Sequence, residues 1–198
     1  MKRKMPHLDP VEKQIVFKIV YFGPGMSGKT TNLLFIHKTL VDRYKGDMLV
    51  LDTEKERTLF FDFFPVSLGK VQGYSLKFHL YTIPGQIYYE ASRRIILEGA
   101  DGVVFVADSQ ADRLNENTKM FRMMNENLRS YDIDPEDFPV VLQYNKRDCR
   151  PLLEVGSIER ELGLRNVPVT ISIATEGKGV MKTLQVISKE IIKKFRVG

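Results

Sequence analysis

Residues Gln14-Ile15-Val16-Phe17-Lys18-Ile19-Val20-Tyr21-Phe22 are almost continuously apolar and rich in β-branched and aromatic side chains. That is the pattern of a strand buried on both faces. The run stops at Gly23, and a helix-period stretch follows, with Leu33, Leu40, Val41 and Tyr44 on one side. Short apolar segments come next at Met48–Leu51 and, dominated by aromatic residues, at Leu59–Phe64. Tyr74–Tyr81 reads as a strand, Gly102–Ala107 and Val140–Tyr144 as two more, and Val169–Ile173 as the last. Asp112–Tyr131 reads as a helix, with Leu114, Phe121, Met124, Leu128 and Tyr131 near 3.6-residue spacing. Val180, Leu184, Ile187, Ile191 and Phe195 give the final helix an apolar stripe. Strands alternating with helices predict an α/β fold: a mostly parallel central sheet flanked by helices on both faces. Such sheets bind ligands beyond the carboxyl ends of their strands.

No repeat, low-complexity tract or flexible linker interrupts this alternation, so residues 1–198 read as a single domain with short basic tails at about 1–12 and 193–198. Hydrophobic residues are 43% and charged residues 28%, which excludes a disordered or fibrous chain. The lone Cys149 cannot form an internal disulfide and reads as small filler rather than a redox centre. No apolar run approaches the ~18 residues of a membrane span. Met1-Lys2-Arg3-Lys4-Met5-Pro6 lacks the apolar stretch of a signal peptide, and Lys2 stands where myristoylation needs glycine. A cytoplasmic protein without a stable membrane anchor is expected. The net charge of +5 is more than accounted for by six tail residues, Lys2, Arg3, Lys4, Lys193, Lys194 and Arg196. Charge confined to solvated tails argues against a nucleic-acid partner.

Chemistry enters directly after the first long strand. Gly23-Pro24-Gly25-Met26-Ser27-Gly28-Lys29-Thr30 satisfies G-x-x-x-x-G-K-[ST] between a buried strand and a helix, with Thr31 next in line. The glycines let backbone N–H groups curl around phosphate oxygens, and the helix N-terminus adds its positive dipole end. Lys29 is expected on the β- and γ-phosphates and the Thr30 hydroxyl on Mg²⁺. The pattern predicts a bound nucleoside triphosphate. Asn145-Lys146-Arg147-Asp148, straight after Val140–Tyr144, selects the base. A carboxylate at Asp148 can accept from the guanine N1–H and 2-amino group, whereas adenine offers neither donor there. The aliphatic stem of Lys146 can cover the base. An ATP-using enzyme of this loop class is disfavoured by that tetrad and by the lack of a lid or second-substrate motif.

These motifs, over essentially residues 14–195, resemble the small Ras-like GTPases, and within them the MglA family of bacterial polarity and gliding-motility GTPases. The resemblance is carried by Val20–Gly25 with Gly28–Leu33, by Glu56–Phe63, by Phe78–Gln86, by Asp101–Gln110 and by Gln143–Asp148. It implies a P-loop NTPase fold with a Ras-like G domain, binding GTP or GDP with Mg²⁺. It implies a regulatory GTPase that hydrolyses GTP slowly alone and faster with a Roadblock-type activating partner. Polarity and motility effectors, and concentration at cell poles, are implied with it. Ala174, before Gly177 and Gly179, matches the position whose backbone N–H meets the guanine oxygen, although Ser172-Ile173-Ala174-Thr175 departs from the common Ser-Ala-Lys.

A second departure lies at Thr82-Ile83-Pro84-Gly85, where Ras-like proteins carry Asp-x-x-Gly. Without that carboxylate the metal leans on Thr30, the phosphates and a switch threonine. Asp108 ends a different strand and is not expected to reach the metal. Spacing leaves Thr53 and Thr58 equally able to supply the switch hydroxyl; the resemblance selects Thr58. Gln86 after Gly85 is the residue the resemblance makes the water-orienting glutamine. Arg57 on its own reads as a loop cation paired with Glu54 or Glu56, and the resemblance turns it into an intrinsic arginine finger. Gly25 stands where a side chain would crowd Gln86 and the attacking water. A second reading follows from Thr82: a GTP-gated scaffold with negligible hydrolysis.

Overall fold

The computed structural model describes residues 7–9, 12–40, 49–50, 62–71, 73–82 and 96–197. Eight strands form one sheet: β1 (His7–Asp9), β2 (Gln14–Phe22), β3 (Leu49–Val50), β4 (Asp62–Val71), β5 (Tyr74–Thr82), β6 (Gly102–Asp108), β7 (Val140–Asn145) and β8 (Val169–Ile171). The order across the sheet is β3-β4-β5-β2-β6-β7-β8. The five strands from β5 to β8 in this order run parallel. At one edge β3 and β4 run antiparallel. β6 pairs only with Ile19–Phe22 of β2, and β1 pairs antiparallel with Gln14–Val16, the part of β2 that β6 does not reach.

Among the described residues, α1 (Lys29–Thr39), α2 (Leu114–Arg129), α3 (Ser157–Leu162) and α4 (Val180–Val197) pack on the sheet. Alternation along β2 divides the core. Ile15, Phe17, Ile19 and Tyr21 face Leu33 and Ile36 of α1 and Val180, Leu184, Ile187 and Ile191 of α4. Val20 and Phe22 face the other layer, with Phe121, Met124 and Leu128 of α2 and Ile158 of α3. β6 and β7 are buried along their whole lengths, as strands covered by helices on both faces must be. The parallel sheet predicted from the alternation is therefore present.

Several boundaries differ from the pattern reading, each for a local reason. The aromatic segment at Leu59–Phe64 leads into a ten-residue strand that continues through Pro65 and Gly69. Among the described residues β3 pairs only with Asp62 and Phe63, which leaves Pro65 paired on the β5 side alone, and on the other side proline costs no ladder bond. The register shift between Ser67 and Lys70 takes up Gly69. The helix expected from Asp112 begins as a 3₁₀ turn over Ala111–Arg113, because the Gln110 N–H is held by Asp108 Oδ1 and Arg113 N–H bonds the Gln110 carbonyl. It ends at Arg129, and Asp132 with φ 59° turns the chain away. The last strand stops at Ile171 rather than Ile173, since Ser172 turns its hydroxyl inward to Asn145.

Candidate nucleotide site

The carboxyl ends of β2, β5, β6 and β7 converge at one end of the sheet, where the chain leaves β2 for the phosphate loop. Gly23 has φ 144°, and a Cβ there would lie 2.2 Å from the Val106 carbonyl oxygen of β6, so only glycine brings the loop this close. Gly28 has φ 96°, and its Cβ would collide with Asn145 Nδ2 at 2.3 Å. The backbone of the phosphate loop is thus pressed against β6 and β7. α1 starts at Lys29 with no side-chain cap and no acidic residue in its first turn, leaving the positive end of its dipole facing the loop. Lys29 is buried, and its ammonium donates to the carbonyl oxygens of Gly23 at 3.0 Å and Pro24 at 2.6 Å. Ser27 Oγ is buried without a hydrogen-bond partner among the described residues. A buried ammonium, an uncapped helix end and an orphaned hydroxyl suit an anion with several oxygens. Thr30 is exposed in the first turn of α1, so its hydroxyl is a hard oxygen donor at the mouth of the cradle, as Mg²⁺ requires.

Asn145 joins this loop to the turn that carries Lys146 and Asp148. Its Nδ2 donates to the Ser27 carbonyl oxygen at 2.8 Å. Its Oδ1 accepts from Ser172 Oγ at 2.9 Å and from Ala174 N–H at 3.0 Å. Three loops are therefore locked by one buried amide. Lys146 follows with φ 62°, a left-handed turn residue, and its ammonium reaches Asp108 Oδ2 at 2.8 Å. Asp108 is almost fully buried, and its Oδ1 accepts from both the backbone N–H and the side-chain amide of Gln110. Burial pushes the Asp108 carboxyl upward, but Lys146 and the Gln110 donors outweigh it and hold the carboxyl below its ordinary value. Asp148 is exposed on the turn, with its carboxylate open to a ligand's donors.

Of the predicted site residues, Gly23, Gly25, Met26, Ser27, Gly28, Lys29, Thr30, Thr31, Asn145, Lys146, Asp148 and Ala174 come together at this end of the sheet. Arg57, Thr58, Gly85 and Gln86 lie outside the described residues. The Ala174 N–H that the resemblance gives to the guanine oxygen donates here to Asn145 Oδ1. Thr82 is the buried last residue of β5, in register with Tyr21 of β2. Asp108 is engaged by Lys146 and Gln110. Its place beside Lys146 was not predicted, although a carboxylate ending the apolar run Val103–Ala107 was the available signal. A second unpredicted feature is a buried polar chain. Asn32 Nδ2 donates to Gly28 O, Gln143 Nε2 donates to Asn32 Oδ1 and Thr183 Oγ1, and Thr183 shares a hydrogen bond with Thr170. It links the start of α1 to α4 through the sheet.

The chain matches the ADP-ribosylation factor family over residues 5–191. It is 43% identical over 194 residues to the mutual gliding-motility protein MglA of Myxococcus xanthus, covering 98% of this chain and all of that protein. The chain is a small GTPase of the MglA family. A more distant likeness, 28% identity over 124 residues, relates it to ADP-ribosylation factor-like protein 6 of Caenorhabditis elegans, covering 60% of this chain and 64% of that one. Membership in this family makes the chain a GTP- or GDP-binding protein and the sheet a Ras-like G domain. Among the described residues, no helix is long and apolar enough to cross a membrane.

Proposed function

We propose that this GTPase binds GTP with Mg²⁺, hydrolyses it to GDP and thereby switches partner binding, controlling polarity or gliding motility in a bacterial cell. The observation that carries the reading is the Asn145 junction, which holds the phosphate loop, the base-selecting turn and the Ser172–Ala174 loop at fixed spacing. Lys29 and the first turn of α1 receive the phosphates, Asp148 selects guanine and the Lys146 stem covers the base. Thr30, with Thr58, would hold Mg²⁺, which supplies positive charge across the β- and γ-phosphates. Gln86 orients the attacking water, and Arg57 neutralises charge that grows in the transition state. A Roadblock-type partner accelerates the step by holding both switch segments in line, and effectors read the GTP-bound arrangement at the cell poles.

Thr82, a buried hydroxyl where Ras-like proteins carry a carboxylate, supports a second reading, a GTP-gated scaffold that scarcely hydrolyses. Single-turnover hydrolysis by the pure protein, with and without a Roadblock-type partner, separates the two. Slow turnover that the partner accelerates supports the switch; turnover that stays near the uncatalysed rate in both conditions supports the scaffold.

A further inference from the structure

The carboxylate of Asp108 has no part in the chemistry described so far, yet it is one of the most constrained groups on the nucleotide face. Its strand places it opposite Asn145 in the β6–β7 register. Its backbone is clamped on both sides by one side chain: Asp108 N–H donates to Asn117 Oδ1 at 3.0 Å, and Asn117 Nδ2 donates to Asp108 O at 2.8 Å. The next residue is tied to β7 as well, since Ser109 N–H donates to the Asn145 carbonyl at 3.0 Å. The carboxylate therefore cannot drift relative to the base-selecting turn.

Its charged partner Lys146 is the residue whose stem covers the base in the reading above. Lys146 donates to Asp108 Oδ2 at 2.8 Å while its own backbone sits in a left-handed conformation, φ 62°. A lysine stem has four rotatable bonds, and leaving it free makes ligand binding bear the cost of ordering it. Anchoring the ammonium at its far end fixes the stem before any base arrives. Arg113 extends the same centre towards the loop at Gly25. Its Nε lies 3.7 Å from Asp108 Oδ2, and its Nη2 donates to the Gly25 carbonyl at 3.5 Å.

We propose that Asp108 is a positioning residue for the guanine nucleotide, acting through Lys146: it pins the lysine ammonium so that the aliphatic stem is already laid out as one wall of the base pocket. This rests on the guanine-nucleotide reading above. It also explains why a carboxylate is tolerated at the end of an otherwise apolar buried strand, where an unpaired charge would be costly.

A double-mutant cycle on the full chain tests it, with GDP and GTP dissociation constants as readout and melting temperature as the folding control. Asp108→Asn keeps the shape and an acceptor for Gln110 but removes the charge-assisted bond to Lys146. It should weaken both nucleotides about ten- to a hundredfold, the worth of a hydrogen bond to a charged group. In a Lys146→Ala background the same change should matter less than about twofold, because the route is gone. Equal loss in both backgrounds would overturn the proposal and leave Asp108 a structural residue. Should Asp108→Asn not fold, Gln110→Ala loosens the same carboxylate: about threefold weaker binding with Lys146 present, and none without it, is expected from losing a neutral hydrogen bond. No effect of Gln110→Ala in either background would likewise overturn it. Failure of the parent reading looks different: wild-type protein would then bind ADP as well as GDP, whatever residue 108 is.

Discussion

Asn145 Nδ2 donates to the Ser27 carbonyl oxygen at 2.8 Å across 118 positions of sequence, and that bond ties the phosphate loop to the turn that carries Lys146 and Asp148. Gly28 is the reason the bond exists. Any Cβ there would occupy the place of the Asn145 amide, so the phosphate loop and the amide are fitted to each other.

Asn145→Ala should therefore damage fold and site together. It leaves the Ser27 carbonyl and Ala174 N–H without their buried partner, at roughly 1–3 kcal/mol each. Urea denaturation of the nucleotide-free protein should show a loss of about 2–6 kcal/mol, and GDP affinity should fall with it. Unchanged stability would mean that the three loops are held by something other than this amide.

Thr30→Asn addresses the metal. With the hydroxyl replaced by an amide too long for the Mg²⁺ position, triphosphate binding should weaken more than diphosphate binding, because the added negative charge of GTP would depend more on the metal. Titration of each nucleotide with and without Mg²⁺ measures the difference. Equal loss for both nucleotides would assign Thr30 to folding rather than to the metal.

Tyr144→Phe tests the far side of the same strand. The Tyr144 hydroxyl accepts the N–H groups of Gly156 and Ile158 at 3.1 Å and donates to Glu159, so one oxygen anchors the start of α3. Burial, reinforced by Glu159, pushes its pKa up to about 12, which keeps the donor protonated at any physiological pH. Removing it should cost about 1–3 kcal/mol in urea melts while leaving GDP affinity unchanged. A neutral substitution would show that water serves these N–H groups equally well.

How much of this was legible in the sequence depends on how local the determining forces are. The phosphate loop was readable because its geometry is dictated within eight consecutive residues, and the base-selecting turn because it follows directly on a strand. β4 was not, because whether Pro65 breaks a strand depends on which side of it has a neighbour, and that is a property of the sheet. The pairing of Asp108 with Lys146 spans 38 positions, and the chain from Asn32 through Gln143 to Thr183 crosses three elements. Such pairings are set by strand register, which hydropathy alone does not encode. The three residues of β1 are too few for any periodicity to reveal.

Arg57→Ala separates an intrinsic arginine finger from one supplied in trans. An arginine finger contributes ~10³–10⁵ in rate, so partner-stimulated single-turnover hydrolysis should fall by about that factor. GTP affinity should stay within a few-fold, because the charge that Arg57 meets exists mainly in the transition state. Gln86→Leu should act in the same way, and both variants should accumulate as the GTP form. Full stimulation of Arg57→Ala would place the finger on the partner.

We propose this end of the sheet as a guanine-nucleotide pocket in which Asp148 reads the base. The most direct measurement is the relative affinity of the Asp148→Asn protein for GTP and XTP. The amide reverses the hydrogen-bonding polarity at the position of the carboxylate, and xanthine carries an oxygen where guanine carries its 2-amino group. Wild-type protein should prefer GTP and the variant should prefer XTP. A variant that folds and still prefers GTP would place base recognition elsewhere and contradict the account.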